Sequence, residues 1–258
     1  MAPETRLTID NLAYGYPGRP PLLRDLTARA SAGRLTCLLG PNGSGKTTLL
    51  RLLLGQLRPS AGLISLDTDS VGSISERERA CRMAYVPQHT SLAFAHSLGE
   101  VVAMGGWPAG GPKSDAQAEL KAWSLQDLAS AGWTTLSGGE RQRGLLARAC
   151  CQLRMRGQIM LVDEPTASMD PAWAHQTLQT LRQRAHDTGL AVVAVLHDLD
   201  LASRYADDAW LLAGGDLIAS GPASHVLDEA NLERAYHVRF RRLHLDQDRT
   251  AVIADPLV

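Results

Sequence analysis

Lys46 is preceded by Gly45 and followed by Thr47, and the stretch that ends on this triplet begins at Gly40. Gly40, Pro41, Asn42, Gly43, Ser44, Gly45, Lys46 and Thr47 satisfy the pattern G-x-x-x-x-G-K-[ST]. In that pattern glycines let backbone N–H groups curl around phosphate oxygens, the lysine reaches the β- and γ-phosphates, and the hydroxyl ligates Mg²⁺. Two carboxylates further along, Asp163 and Glu164, follow the apolar run Ile159-Met160-Leu161-Val162. An aspartate can serve Mg²⁺ while the neighbouring glutamate faces an attacking water, because neighbours on a strand point opposite ways. Taken alone, the pair also fits an ordinary loop opening. A third stretch, Leu136-Ser137-Gly138-Gly139-Glu140, places a serine and two glycines ahead of Arg141-Gln142-Arg143. Its S-x-x-E spacing is that of a capping box, a device repeated at Ser97-Leu98-Gly99-Glu100,. A bare, glycine-flanked helix N-terminus carrying a hydroxyl is also suited to a phosphate.

These groups need particular elements behind them. Residues 34–39 are an apolar run that reads as a buried strand, and 46–54 read as a helix, so the phosphate loop joins strand to helix and gains the positive end of the helix dipole,. Residues 159–162 read as a buried strand that delivers Asp163 and Glu164 at its carboxyl end, where α/β sheets bind ligands,. Leu145, Ala149 and Leu153 share one face of a helix opened by Ser137,. Alternation at Leu7 and Ile9 and at Leu26, Ala28 and Ala30 predicts antiparallel strands, with a turn at Ser31–Gly33,. Seven apolar residues, Leu190 to Leu196, predict a central strand ending at His197; residues 209–212 and 217–219 flank Gly214-Gly215 as a hairpin,.

The three motifs, in this order, resemble the ABC ATPase family, whose signature is LSGGQ; position 140 is Glu here where Gln is commonest. The resemblance implies an α/β phosphate-loop NTPase fold of the ABC ATPase type. That fold has a mixed central sheet, an N-terminal antiparallel β subdomain and an inserted helical subdomain. One ATPase domain spans 1–258, with a nucleotide-binding core at about 1–91 and 154–258 and helical pattern over about 92–153, broken at Gly105 to Pro112. By resemblance ATP and Mg²⁺ are the ligands. Gly40 through Thr48 hold the phosphates, Thr47, Gln88 and Asp163 serve the metal, and Glu164 polarises water. Gln88 is the Q-loop residue and His197 the H-switch that contacts the γ-phosphate, so Glu164, His197, Gln88 and Lys46 form the catalytic set. Tyr16, thirty positions before Lys46, resembles the aromatic that stacks on adenine, with Tyr14 as its competitor. Asp170 stands for the D-loop, although Ala167-Ser168-Met169 departs from the usual residues before it. The family works as a head-to-tail dimer in which Ser137, Gly138 and Gly139 of one copy cap ATP on the other, mounted on two transmembrane permease subunits. Hydrolysis would remove contacts made only to the γ-phosphate and shift the pair from closed to open.

Residues 12–17 and 38–43 look like siderophore-importer ATPases, and the tail from Ala209 is similar to cobalamin, haem and siderophore relatives. The approach from Gln152 to Gln158 is slightly longer than in many family members. Expected cargo is therefore a metal chelate, delivered by a periplasmic or lipid-anchored binding protein, with the chain peripheral on the cytoplasmic face of the inner membrane. An exporter of lipid or drug shares the same chemistry and differs only in its membrane partner. A chromosome-maintenance ATPase would normally carry a coiled coil or a second cassette, and the 258 residues contain neither. With 26 basic and 27 acidic residues there is no overall field to attract nucleic acid,. Apolar runs fall short of the roughly 18 residues that span a bilayer, and no leader pattern opens the chain. Cys37, Cys81, Cys150 and Cys151 lack metal-ligand spacing and read as small buried residues in a reducing compartment,. Arg239, Arg241 and Arg242 fit either a solvated strand face or an anionic partner,.

Overall fold

The computed structural model describes residues 4–88, 96–108, 114–245 and 249–255. In chain order the first elements are β1 (Thr5–Tyr14), β2 (Leu23–Ser31), β3 (Leu35–Leu39), α1 (Lys46–Leu53), β4 (Ala61–Leu66) and β5 (Asp69–Ser70). Next come α2 (Glu76–Arg82), β6 (Met83–Val86), α3 (Leu98–Ala103), α4 (Ser114–Ala122), α5 (Gly138–Leu153), β7 (Ile159–Asp163) and α6 (Pro171–Thr188). The last are β8 (Ala191–Val195), α7 (Leu199–Tyr205), β9 (Asp208–Ala213), β10 (Asp216–Pro222), α8 (Ala223–Val226), α9 (Glu229–Tyr236), β11 (Arg239–Leu245) and β12 (Arg249–Asp255). They form two compact units: Met1–Ile74 with Leu178–Val258, and Ser75–Thr177.

In the first unit, β1 pairs antiparallel with both β2 and β4, in the order β2-β1-β4-β5. Leu7, Ile9, Leu26, Ala28 and Ala30 are buried, so the period-2 alternation marks one covered face. The second sheet of this unit is mixed. β3 is flanked by parallel β8 and β9, and β10 returns antiparallel to β9. Every residue of β3 and β8 is buried, which is why both runs are apolar apart from Thr36,. Trp210 of β9 is buried, and its indole N–H donates to the Arg29 carbonyl of β2 at 3.3 Å, tying this sheet to the antiparallel one. Burial also pushes the Cys37 thiol well above its usual range.

At the end of the unit, β11 and β12 form a hairpin. The arginine cluster is divided there. Arg242 donates to the carbonyls of Ser224 and Leu227 at 2.7 and 2.9 Å, while Arg241 pairs across the hairpin with Asp255 at 2.8 Å.

In the second unit, β6 and β7 pair in parallel, Val86 opposite Val162. Helix α5 lies against α3 and α4, and the lack of a side chain at Gly144 admits Leu98 and Trp133. The long approach to β7 has a structural use. The Gln152 amide donates to the carbonyls of Ala80 and Met83 at 2.8 and 2.9 Å, and Gln158 accepts from Arg82, so this stretch closes the turn between α2 and β6. Of the expected helical stretch, residues 92–95 and 109–113 lie outside the described residues. All four cysteines are buried and none is in a disulfide. Among the described residues no helix is long and apolar enough to cross a membrane.

Candidate functional site

The phosphate loop leaves β3 at Gly40 and enters α1 at Lys46. Gly40, Gly43 and Gly45 take φ of 144°, 79° and 106°, values that turn successive N–H groups to one side and that L side chains rarely adopt. Gly40 is doubly constrained, because a Cβ built on it would stand 1.9 Å from the Leu212 carbonyl oxygen. Inside the loop the Ser44 hydroxyl is buried with no hydrogen-bond partner, and the Lys46 ammonium donates to the carbonyls of Gly40 and Pro41 at 2.7 and 3.0 Å. An orphaned hydroxyl and a cation folded over a nest of N–H groups fit a polyphosphate. Thr47 is exposed at the first turn of α1, while Thr48 is buried.

Around this loop the same unit places two further expected residues. The Tyr16 hydroxyl lies 3.3 Å from the Thr48 hydroxyl, and its ring meets Tyr14 edge-on at 5.1 Å. Tyr14 is buried in the sheet whereas Tyr16 is half-buried, so of the two rings Tyr16 has the accessible surface. His197 is exposed at the carboxyl end of β8, which neighbours β3 in parallel register. It is fixed on both sides: the Leu196 N–H donates to the Leu38 carbonyl at 3.2 Å, and Asp198 caps α7 through the Leu201 N–H at 3.0 Å. Tyr236 on α9 also belongs to this neighbourhood. Its phenol is raised by burial, opposed in part by the Gly40 amide. No periodicity or motif near Tyr236 marks it, because only the tertiary fold brings the C-terminal helix to the loop.

The second unit gathers Gln88, Asp163 and Glu164. β7 ends at Asp163, which is buried and receives the Tyr85 hydroxyl at 3.4 Å. Glu164 lies beyond the strand with φ at 47°. The two carboxylates therefore do not diverge by strand alternation, as the sequence suggested. A left-handed residue between the strand and Pro165 turns the second one away, a conformation that costs on the order of 1 kcal/mol for a non-glycine residue. The Gln88 amide donates to the Glu164 carboxylate at 2.5 Å, and this bond fixes the side chain from another element. The Thr47 hydroxyl and the Asp163 carboxylate are hard oxygen donors of the kind that suit Mg²⁺.

Elsewhere in that unit, Ser137 caps α5. The Glu140 N–H donates to its hydroxyl at 3.3 Å and the Ser137 N–H donates to the Glu140 carboxylate at 2.7 Å, a complete capping box; a second one stands at Ser97 and Glu100. Ser137 and Gly138 are exposed. A Cβ on Gly138 would meet the Ser168 Cβ at 3.1 Å, and one on Gly139 the Ser168 carbonyl at 3.3 Å, so the pair is small because the 167–169 segment packs against it. Asp170 accepts the Trp173 N–H at 3.0 Å at the start of α6, a capping role that accounts for an aspartate at this position whatever else it does,. Trp173 in turn carries the Arg143 guanidinium 3.6 Å above its ring. Arg143 belongs to the stretch singled out above, but its pairing with Trp173 is not visible in the sequence, since the two lie thirty residues apart on different helices.

The ABC transporter domain family matches residues 23–167. The hemin import ATP-binding protein HmuV of Shewanella denitrificans is 36% identical over 244 residues, covering 92% of this chain and 95% of its own. That of Pseudomonas entomophila is 42% identical over 227 residues, covering 86% and 89%. Among solved structures, an inward-facing metal-chelate type ABC transporter is 27% identical with a TM-score of 0.84 and covers 98% of both chains.

Proposed function

Because the chain belongs to the ABC transporter family of ATP-binding proteins, we propose that it hydrolyses ATP to energise import of a metal chelate of the haem class, as a head-to-tail dimer on two separate permease subunits. The observation that carries the cargo class is the run of hemin import relatives at 36 to 42% identity over most of both chains. The likeness to a metal-chelate type transporter over the full length supports it. The chain is then a peripheral subunit on the cytoplasmic face of the inner membrane, and a periplasmic or lipid-anchored binding protein delivers the cargo.

In this reading the N–H groups from Gly40 to Thr48 and the Lys46 ammonium hold the triphosphate, with Tyr16 against the adenine. Thr47, Gln88 and Asp163 would hold Mg²⁺, which neutralises charge on the transferring phosphoryl group. Glu164 orients the attacking water and takes up its proton, a task for which its carboxylate is already aimed by the Gln88 amide,. His197 is the donor for the departing γ-phosphate. Ser137, Gly138 and Gly139 close on the nucleotide of the opposing copy, and Asp170 lies next to that contact. Stretches 1–91 and 154–258 form the nucleotide core, and about 92–153 the helical signature subdomain.

The test is reconstitution with the cognate membrane subunits and binding protein in vesicles, with ATPase rate and internalised cargo measured for hemin, a ferric siderophore and cobalamin. Stimulation and uptake with hemin are expected. Stimulation with uptake of another chelate would move the cargo, and outward movement of lipid or drug would overturn import.

A further inference from the structure

The signature turn of this chain carries a carboxylate, Glu140, where a phosphate of the opposing copy is to be bound. The Ser137 hydroxyl and N–H hold the Glu140 carboxyl below its usual range, with a smaller contribution from the charge of Arg143, so it is ionised at neutral pH. A negative charge here opposes a triphosphate. One helical turn along α5, Arg143 is only 6% exposed; its Nε is buried without a hydrogen-bond partner, and no ion pair to it occurs among the described residues. A guanidinium used only for packing would normally be hydrogen-bonded, since burying a cation without a partner is costly. Burial lowers the guanidinium below its usual range, the charges of Glu140 and Asp170 oppose this in part, and the indole lies 3.6 Å below it,. Asp170 also caps the start of α6 by accepting the backbone N–H of Trp173 at 3.0 Å. The arrangement is a cation seated on an aromatic face one helical turn along α5 from Glu140.

We infer that Arg143, seated on Trp173, is the positioning residue that makes a glutamate workable at position 140, because its charge offsets the carboxylate that would otherwise repel the incoming nucleotide. This rests on the proposed trans contact of the Ser137 turn. Arg143 sets how well the turn accepts ATP; Glu164 and its neighbours set how fast ATP is cleaved. Substitution should therefore appear in KM rather than in kcat.

The experiment compares steady-state ATPase parameters of the full chain with those of R143Q, E140Q, E140Q/R143Q and W173L. R143Q is expected to raise KM for ATP by about five- to tenfold with kcat changed by less than about threefold. E140Q alone should lower KM by about twofold, and the double variant should recover most of the R143Q loss. W173L should raise KM by about threefold, because the guanidinium is still present but no longer held. If R143Q does not fold, W173L with and without E140Q carries the same comparison. A double variant as impaired as R143Q, or an unchanged KM in both R143Q and W173L, overturns the inference. Light scattering of E164Q with ATP separates the two levels. If no nucleotide-dependent dimer forms, the trans reading itself fails; if the dimer forms and E140Q brings no relief, only the role of Arg143 fails.

Discussion

Two glycine-rich helix N-termini, at Lys46 and at Gly138, are built in opposite ways. At the phosphate loop the glycines are held at positive φ, a hydroxyl is buried without a partner, and the lysine folds onto the loop's own carbonyls. At the signature turn the glycines have no unusual backbone, the serine is exposed, and the N-terminal amides are satisfied by an ordinary capping box. The first is shaped for a ligand by its own backbone. The second is a complete helix start that lacks nothing locally, so the phosphate role proposed for it would depend on what a second copy brings to it. A glycine in one place answers a dihedral requirement; in the other it answers close packing against residues 167–169.

The largest effect should come from adding a methyl group where both constraints coincide. G40A places a Cβ 1.9 Å from the Leu212 carbonyl oxygen at φ 144°. It should cost about 3 kcal/mol or more of stability and abolish nucleotide binding, as read by calorimetric unfolding and binding of a fluorescent ATP analogue. Next is E164Q, expected to lower kcat by about a hundredfold or more while ATP still binds, so that an ATP-bound dimer accumulates. Normal turnover by E164Q would remove Glu164 as the group acting on water. Mixed dimers of K46A and S137A sharpen the contrast itself: if the two termini act across copies, the mixture should recover one working site where each variant alone has none. S137A alone should also lose about 1 kcal/mol of helix-cap stability, visible as a drop in Tm of a few degrees. Smallest is G43A, whose Cβ would meet nothing within 4 Å but must adopt φ 79°, a strain of about 1 kcal/mol. Its modest loss in affinity should contrast with G138A, where the clash with Ser168 at 3.1 Å should act on the closing of the dimer and leave binding to the single copy unchanged.

The elements beneath the site were legible because their signals are short-range. β3, β8 and β7 are buried and, apart from Thr36 and Asp163, apolar, and the hairpin at Gly214-Gly215 announces itself by two glycines that take positive φ. The sequence favours Tyr16, directly before Pro17, with Tyr14 as its competitor, and burial of Tyr14 leaves Tyr16 the more accessible ring. The direction of Glu164 was misread for a related reason. Strand alternation is a sound rule inside a strand, and nothing in Asp-Glu-Pro says that the strand stops one residue early.

By itself the order of residues determined the chemistry: a glycine loop with lysine and threonine, a pair of carboxylates after an apolar strand, and a serine-capped helix are local patterns whose function follows from backbone geometry and charge. Tertiary structure alone decided which groups support them. Gln88 fixes Glu164, Tyr236 approaches Gly40, and Trp173 holds Arg143 near Glu140 and Asp170. These pairings join residues far apart in the chain, and no local periodicity encodes them, because burial and charge act through space while sequence patterns register only the nearest turns of the backbone.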